Sequence, residues 1–261
     1  MKQSVCNYKA FMAKEFMESM RTKRFLILGC IFIFFGIFSA LMARYSVEIM
    51  GYLMNLDESG LVFEIPPPVW IDSYGQLYSN LSEMGIIVLI VMYMSVVLRE
   101  KTTGTIDLMF TKGLSSTTFV WAKFTVAALL TLTVLLGAVL ITYFYTMVLF
   151  EYGGQIGDVL LGGLVFGVFI LMILALTILW SSIANSTAIS AVLGLGSYLF
   201  IGVMGFIPRI GQFMPGNLTG HVVLLSGSET GDYLWIRLLM AMAFTVVALV
   251  TTAQILKKRK G

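Results

Sequence analysis

Residues 124–150 read FTVAALLTLTVLLGAVLITYFYTMVLF, twenty-seven positions without a charge, bounded by Lys123 on one side and Glu151 on the other. At about 1.5 Å per residue a helix of this length measures roughly 40 Å, more than the hydrocarbon core of a bilayer at about 30 Å. It is predicted to cross a membrane. The surrounding chain agrees: 58% of its 261 residues are hydrophobic and only 12% charged, whereas a soluble globule carries about 25% charged residues. Mean hydropathy is +0.91. A large soluble domain is excluded.

Working outward, uncharged apolar runs recur at Phe25 to Ala43, Leu81 to Leu98, Val159 to Ile183, Thr187 to Ile207 and Leu238 to Leu256. With Phe124 to Phe150 they make six spans. The run at Leu81 is the shortest, because Glu83 interrupts its outer end, and it has room to extend backward through Tyr78 and Leu77. The run at Phe25 exceeds the 7–15 apolar residues of a signal peptide and reads as a retained first helix.

The charges set an orientation. With the N terminus in the cytoplasm, fourteen of seventeen basic residues lie inside and only Arg44, Arg209 and Arg237 outside. Lys and Arg collect on cytoplasmic loops, so both termini are expected in the cytoplasm, with six spans returning Lys257 to Lys260 to that side. The net charge of +3 therefore reports membrane orientation, and nucleic acid is not an expected partner. Cys6 and Cys30 fall in different solvents and are not expected to pair.

The missing residues narrow the class. No apolar core holds Asp, Glu, Lys, Arg or His, which ion-coupled carriers use to bind the driving ion. No H-E-x-x-H and no G-x-x-x-x-G-K-[ST] occurs, so neither an intramembrane metalloprotease nor a built-in ATP site is expected. The lone His221 reads as a loop residue. No catalytic residue, metal ligand or cofactor-binding residue is assigned to the chain.

The first external segment, Arg44 to Asn80, contains Pro66-Pro67-Pro68, which favours polyproline II. The last, Pro208 to Tyr233, gathers Pro208, Gly211, Pro215, Gly216 and Gly220 around short apolar pieces such as Val222 to Leu225. Four apolar residues cannot span, so the segment reads as a broken, re-entrant or interfacial element. Glycines at Gly163, Gly167, Gly194, Gly196, Gly202 and Gly205 allow close helix approach, chiefly within the chain.

On the cytoplasmic side, Val5, Tyr8, Met12, Phe16 and Met20 fall on one helical face and Lys14, Glu18 and Arg21 opposite, as in a helix lying in the membrane interface. This helix is either a simple anchor or a surface that senses a bound ATPase. Between spans two and three, Gly104 breaks the helix leaving the bilayer, Thr105 can cap a new one, and Ile106, Met109 and Phe110 supply a small apolar face. Gly113 suits its stop, and Ser115 or Ser116 can cap the next span. Glu100 is placed to pair with a partner's cation or, locally, with Arg99 or Lys101.

Two motifs carry a resemblance. The entry Lys14-Glu15-Phe16 through Arg21 and Lys23-Arg24-Phe25 matches K-E-F-x-E-x-x-R-x-K-R-F. The stretch Glu100 to Thr105 matches E-[KR]-x-x-G-T, followed by an apolar helix and by Lys123 at the start of span three. With six spans, the whole chain resembles the permease subunits of ABC-2 type ATP-binding-cassette transporters. Lys112-Gly113-Leu114-Ser115 stands where that family usually shows a proline and a basic residue.

The resemblance implies an all-α integral membrane fold in one domain, residues 1–261. It comprises a cytoplasmic interfacial helix (1–24), a six-span region (25–256) and a basic tail (257–261). It implies a coupling helix meeting an ATPase subunit through Glu100, Gly104, Thr105, Ile106, Met109 and Phe110, and an external re-entrant gate at Pro208, Pro215 and Gly216. It implies a cell-membrane exporter acting as a dimer of permease protomers, identical or similar, driven by two ATPase subunits that hold ATP and Mg. With uncharged spans, the seam between protomers is expected to present Phe, Met, Leu and hydroxyls such as Thr131, Thr142, Tyr143 and Tyr145. Such a seam suits a hydrophobic or amphipathic substrate. The rival reading is a non-transporting membrane scaffold or sensor; a passive channel stands third, lacking charged rings for selectivity.

Overall fold

The computed structural model describes residues 2–54, 67–207, 209–220 and 233–258. All the regular elements among them are helical. Helix α1 runs Lys2–Arg21 and α2 Arg24–Met54; α3 (Trp70–Asn80), α4 (Ile86–Tyr93) and α5 (Leu98–Thr102) follow, then α6 (Thr105–Thr111). The series ends with α7 (Ser116–Phe150), α8 (Ile156–Ile183), α9 (Thr187–Gly205) and α10 (Leu234–Lys258). Six helical stretches among the described residues are long and apolar enough to cross a membrane. They are α2, the composite α3–α5, and α7 to α10, hereafter spans one to six.

The span count matches the reading from apolar runs, but the helices run further at their ends. Span two begins at Trp70, eleven residues before Leu81, and so takes in the last eleven of the thirty-seven residues expected as outer loop. Asp72 explains the start, because its carboxylate accepts the Val69 N–H at 2.8 Å and satisfies a first-turn position. Span one likewise continues past Ala43 to Met54. Span three starts at Ser116, where the Ser115 hydroxyl oxygen accepts the Thr118 N–H at 3.1 Å, so Lys123 lies within the helix. Asp57, Glu58, Glu64, Pro66, Val222 to Leu225 and His221 lie outside the described residues.

Spans three and four form the centre, with span one packed along span three, and spans five and six along span four. About two thirds of an apolar eighteen-residue stretch of span four is buried, against 17% for span five and 28% for spans one and six. These outer spans therefore keep wide apolar faces uncovered. Glycines fix two contacts inside the bundle. A Cβ on Gly36 would stand 2.9 Å from the Ala138 carbonyl oxygen, and one on Gly167 would stand 2.7 Å from Leu132 of span three. At the first the backbones meet closely, and the Thr142 hydroxyl also donates to the Gly36 carbonyl at 3.0 Å; at the second the neighbour is the Leu132 side chain.

Candidate functional site

The end of the bundle that carries α1, α5 and α6 also holds a group of five charges. Helix α1 lies along the first turns of span three and turns Phe11, Glu15 and Ser19 inward, at i, i+4 and i+8. Tyr8 and Met12 are half-buried against the core, but Phe16, Met17 and Met20 are exposed, and the Val5 side chain lies outside the described residues. Glu15 turns inward because it meets a cation on span three: Lys123 Nζ donates to Glu15 Oε2 at 2.8 Å.

Lys123 also lies 3.1 Å from Glu100 Oε1, and Lys14 Nζ donates to Glu100 at 2.9 Å, to Glu15 at 2.9 Å and lies 3.2 Å from Glu18. Glu15, Glu100 and Lys123 are all less than 8% exposed. Glu100 is therefore paired with α1 and span three, not with its neighbours Arg99 and Lys101. Phe11 and Phe119 close the site, with Lys123 Nζ 5.1 Å from the Phe119 ring centre and Lys14 Nζ 5.2 Å from that of Phe11, within cation–π range. Burial opposes the Lys14 ammonium, but the hydrogen bonds and charges of Glu100 and Glu15 outweigh it and hold its pKa above the ordinary lysine value. Burial likewise opposes the Glu18 carboxylate, and Lys14 reverses that effect and lowers its pKa.

The carboxylates of Glu15, Glu18 and Glu100 converge within 4.8 Å. Lysine ammonium groups already engage both oxygens of Glu15, Oε1 of Glu100 and Oε2 of Glu18. A divalent ion wanting six or more oxygens would have to displace them, so the group is a salt-bridge cluster. Glu100 Oε2 is buried and takes no hydrogen bond.

From Glu100 the chain passes into α6. Gly104, with φ of 71°, ends α5 and occupies the cap position of α6, a left-handed conformation that glycine adopts at little cost. Thr105 is thus the first helical residue and not the cap; its hydroxyl meets that of Thr103 at 2.8 Å. At the other end Gly113, at φ of 89°, closes a Schellman motif: Leu114 N–H donates to Met109 O and Gly113 N–H to Phe110 O, both at 3.1 Å. Ile106 and Phe110 turn inward and are buried, with the Phe110 ring 6.0 Å from Phe119, while Met109 is half-buried. The outward face is Asp107, Leu108, Thr111 and Lys112, and Leu108 is 64% exposed.

At the opposite end, span five is followed by two short 3-10 turns, Gly211–Phe213 and Pro215–Asn217. They fold back onto the end of that span. A Cβ on Gly211 would collide with the Gly205 carbonyl oxygen, and one on Gly216 would stand 3.0 Å from that of Ile201. The Asn217 amide donates to Gly205 O and Gly211 O at 3.2 and 2.9 Å, and Arg237 of span six donates to Gln212 O at 2.8 Å. Pro215 is buried. Pro208 lies outside the described residues.

A family model for the ABC-2 family transporter proteins matches residues 10–230, which takes in the later part of α1, the charge cluster, α6 and five of the six spans. The chain belongs to the ABC-2 transporter family. A search of the curated proteins finds no match. Members of this family are membrane transport components without an ATPase of their own, and they work with ABC ATPase subunits.

In this permease the residues assigned from sequence divide in two. Glu100, Ile106 and Phe110 face the chain's own interior, whereas Gly104 and Thr105 shape the turn beside the outward face of α6. Thr131 and Thr142 are also internal, being fully buried, so of the four hydroxyls expected at a seam only Tyr143 and Tyr145 are partly exposed. Lys14, Glu15 and Lys123 were legible only as letters of a motif. The available signal was Lys123 itself, a lone cation between Ala122 and Phe124 in an apolar helix, which needs a partner wherever it is buried.

Proposed function

We propose that the chain is the membrane half of an ABC exporter. Two protomers, identical or similar, form the pathway, and two separate ATPase subunits that hold ATP and Mg drive it from the cytoplasm. The basic end, which carries α1, α6 and the last turn of α10, faces the cytoplasm on this reading, which the distribution of Lys and Arg supports; the segment around Pro215 and Gly216 is then the external gate. The five-charge cluster, with Glu15, Glu100 and Lys123 buried at its centre, carries this reading. It ties the segment leading into α6 to α1 and span three at once, so a push on α6 reaches three elements without passing through a flexible loop. The outward face Asp107, Leu108, Thr111 and Lys112 offers one apolar contact ringed by polar groups, the usual make-up of an interface centre and rim.

The substrate is hydrophobic or amphipathic. Wide apolar faces on spans one, five and six let such molecules reach a protomer seam from the membrane, while a bare ion would lose hydration there without compensation. The test is purification from native membranes with and without Leu108→Glu. An ABC ATPase should accompany the unaltered chain and be lost from the variant; no ATPase with either would defeat the proposal.

A further inference from the structure

Span two is broken at its basic end. Between Met94 and Val97 the chain turns, and the N–H groups of Val97 and Leu98 leave the helical ladder. Both donate to the hydroxyl oxygen of Ser181 in span four, at 3.0 and 3.1 Å, and Ser181 is fully buried. The hydroxyl thus caps α5 from another span, supplying the acceptor that a helix start lacks. The reverse contact also exists. Lys101 of α5 donates from Nζ to the carbonyls of Ser182 and Ala184, at 3.4 and 3.2 Å, at the last turn of span four, where carbonyls lack helical partners and a cation suits the helix dipole. Each helix end completes the other.

Across the turn itself the ladder is thin. Val96 N–H bonds to Tyr93 O in a tighter i to i−3 pattern, and Arg99 N–H to Ser95 O. Breaks of this kind are where helices bend. We infer that α5 moves as part of span four: displacement of α6 passes through Ser181 and Lys101 into span four, and the turn at Met94–Val97 is the hinge that leaves α4 behind. Ser181 and Lys101 are positioning residues, since they touch neither substrate nor nucleotide. Span four packs against spans three, five and six, so one joint reaches most of the bundle. The inference rests on the permease reading above.

The experiment uses the permease with its ATPase, purified from native membranes into lipid nanodiscs, with Cys6 and Cys30 replaced by serine. Spin labels go on Thr102 and Asn185, which line one cleft across the joint, and in a second sample on Thr102 and Val91, across the hinge. Between the nucleotide-free and the ATP-vanadate states, the 102–185 distance should stay constant and the 102–91 distance should change. Ser181→Ala, which strands two buried N–H groups, should cut stimulation of ATP hydrolysis by the permease roughly fivefold or more. Ser181→Thr, which keeps the acceptor, should preserve it, and Lys101→Met, which leaves the buried interior intact, should act in the same direction as alanine. A 102–185 distance that shifts as much as the 102–91 distance would overturn the joint, as would undiminished stimulation in Ser181→Ala. An unaltered chain that binds no ATPase would instead overturn the permease reading, and the joint's role with it.

Discussion

Lys123 sits between two buried carboxylates, at 2.8 Å from Glu15 and 3.1 Å from Glu100. Removing one partner of a buried ion pair costs about 3–5 kcal/mol, because a charge is left in low dielectric without compensation. Lys123→Met is therefore expected to lower the midpoint of thermal unfolding in detergent strongly, and Glu100→Lys, which sets three cations together, to lower it at least as much. Midpoints within error of the unaltered chain would mean that the cluster is solvated and idle. The outer member of the group responds to pH on both sides. Lys14 has a raised pKa, so its contribution is complete below its unfolded value near 10.5 and is lost as pH climbs through the folded one. Glu18 has a lowered pKa, so its contribution is present above its unfolded value near 4.5 and is lost as pH falls through the folded one. The groups facing them are Glu15, Glu100, Lys123 and Arg24. Subtracting the pH–stability profile of Lys14→Met from that of the unaltered chain should leave a flat difference between those limits that shrinks beyond each. Solvent screens these half-exposed groups, so the difference should be small.

Helix α6 is seven residues held by two left-handed glycines, Gly104 and Gly113. A side chain at such a φ is strained by roughly 1 kcal/mol, so Gly113→Ala should lower stability modestly, and Gly113→Asn less. Leu108→Glu changes an exposed position and should leave stability within about 0.5 kcal/mol, which lets lost ATPase binding be read as a docking effect. At the opposite end Gly211→Ala cannot be relieved by a rotamer, since the obstacle is the Gly205 carbonyl. It should release the segment around Pro215, seen as faster amide exchange there. The elements themselves were largely legible, because an apolar helix announces its core. Their ends were not. Trp70 to Asn80 carries Asp72, Gln76 and Asn80 and reads as loop until Asp72 is seen capping it. Glu15 and Glu100 meet across 85 positions of chain, and spacing along a sequence cannot tell which of several charges at one end of a bundle will touch. For the same reason, counting apolar residues on α1 finds Phe16 and Met20, which stay exposed, but gives no sign that Glu15 turns inward to meet Lys123.

At the scale of the molecule, the other four spans surround spans three and four, and one, five and six keep faces open to lipid or a second protomer. The proposed orientation predicts that a cysteine at Glu151 should react with an impermeant thiol reagent from outside, and one at Lys112 or Lys258 only after the membrane is opened. External labelling at Lys258 would overturn the six-span path. The central claim is that this chain moves an amphipathic compound under the drive of an ATPase bound at α6. It is tested most directly in vesicles holding the permease and its co-purified ATPase, by measuring flux and ATP hydrolysis while amphipathic dyes and lipid analogues are titrated beside sodium and other simple ions. The expected result is vectorial, ATP-dependent movement of one or more amphipathic compounds, abolished by Leu108→Glu. Flux of an ion alone, or flux that persists without ATP, would contradict it.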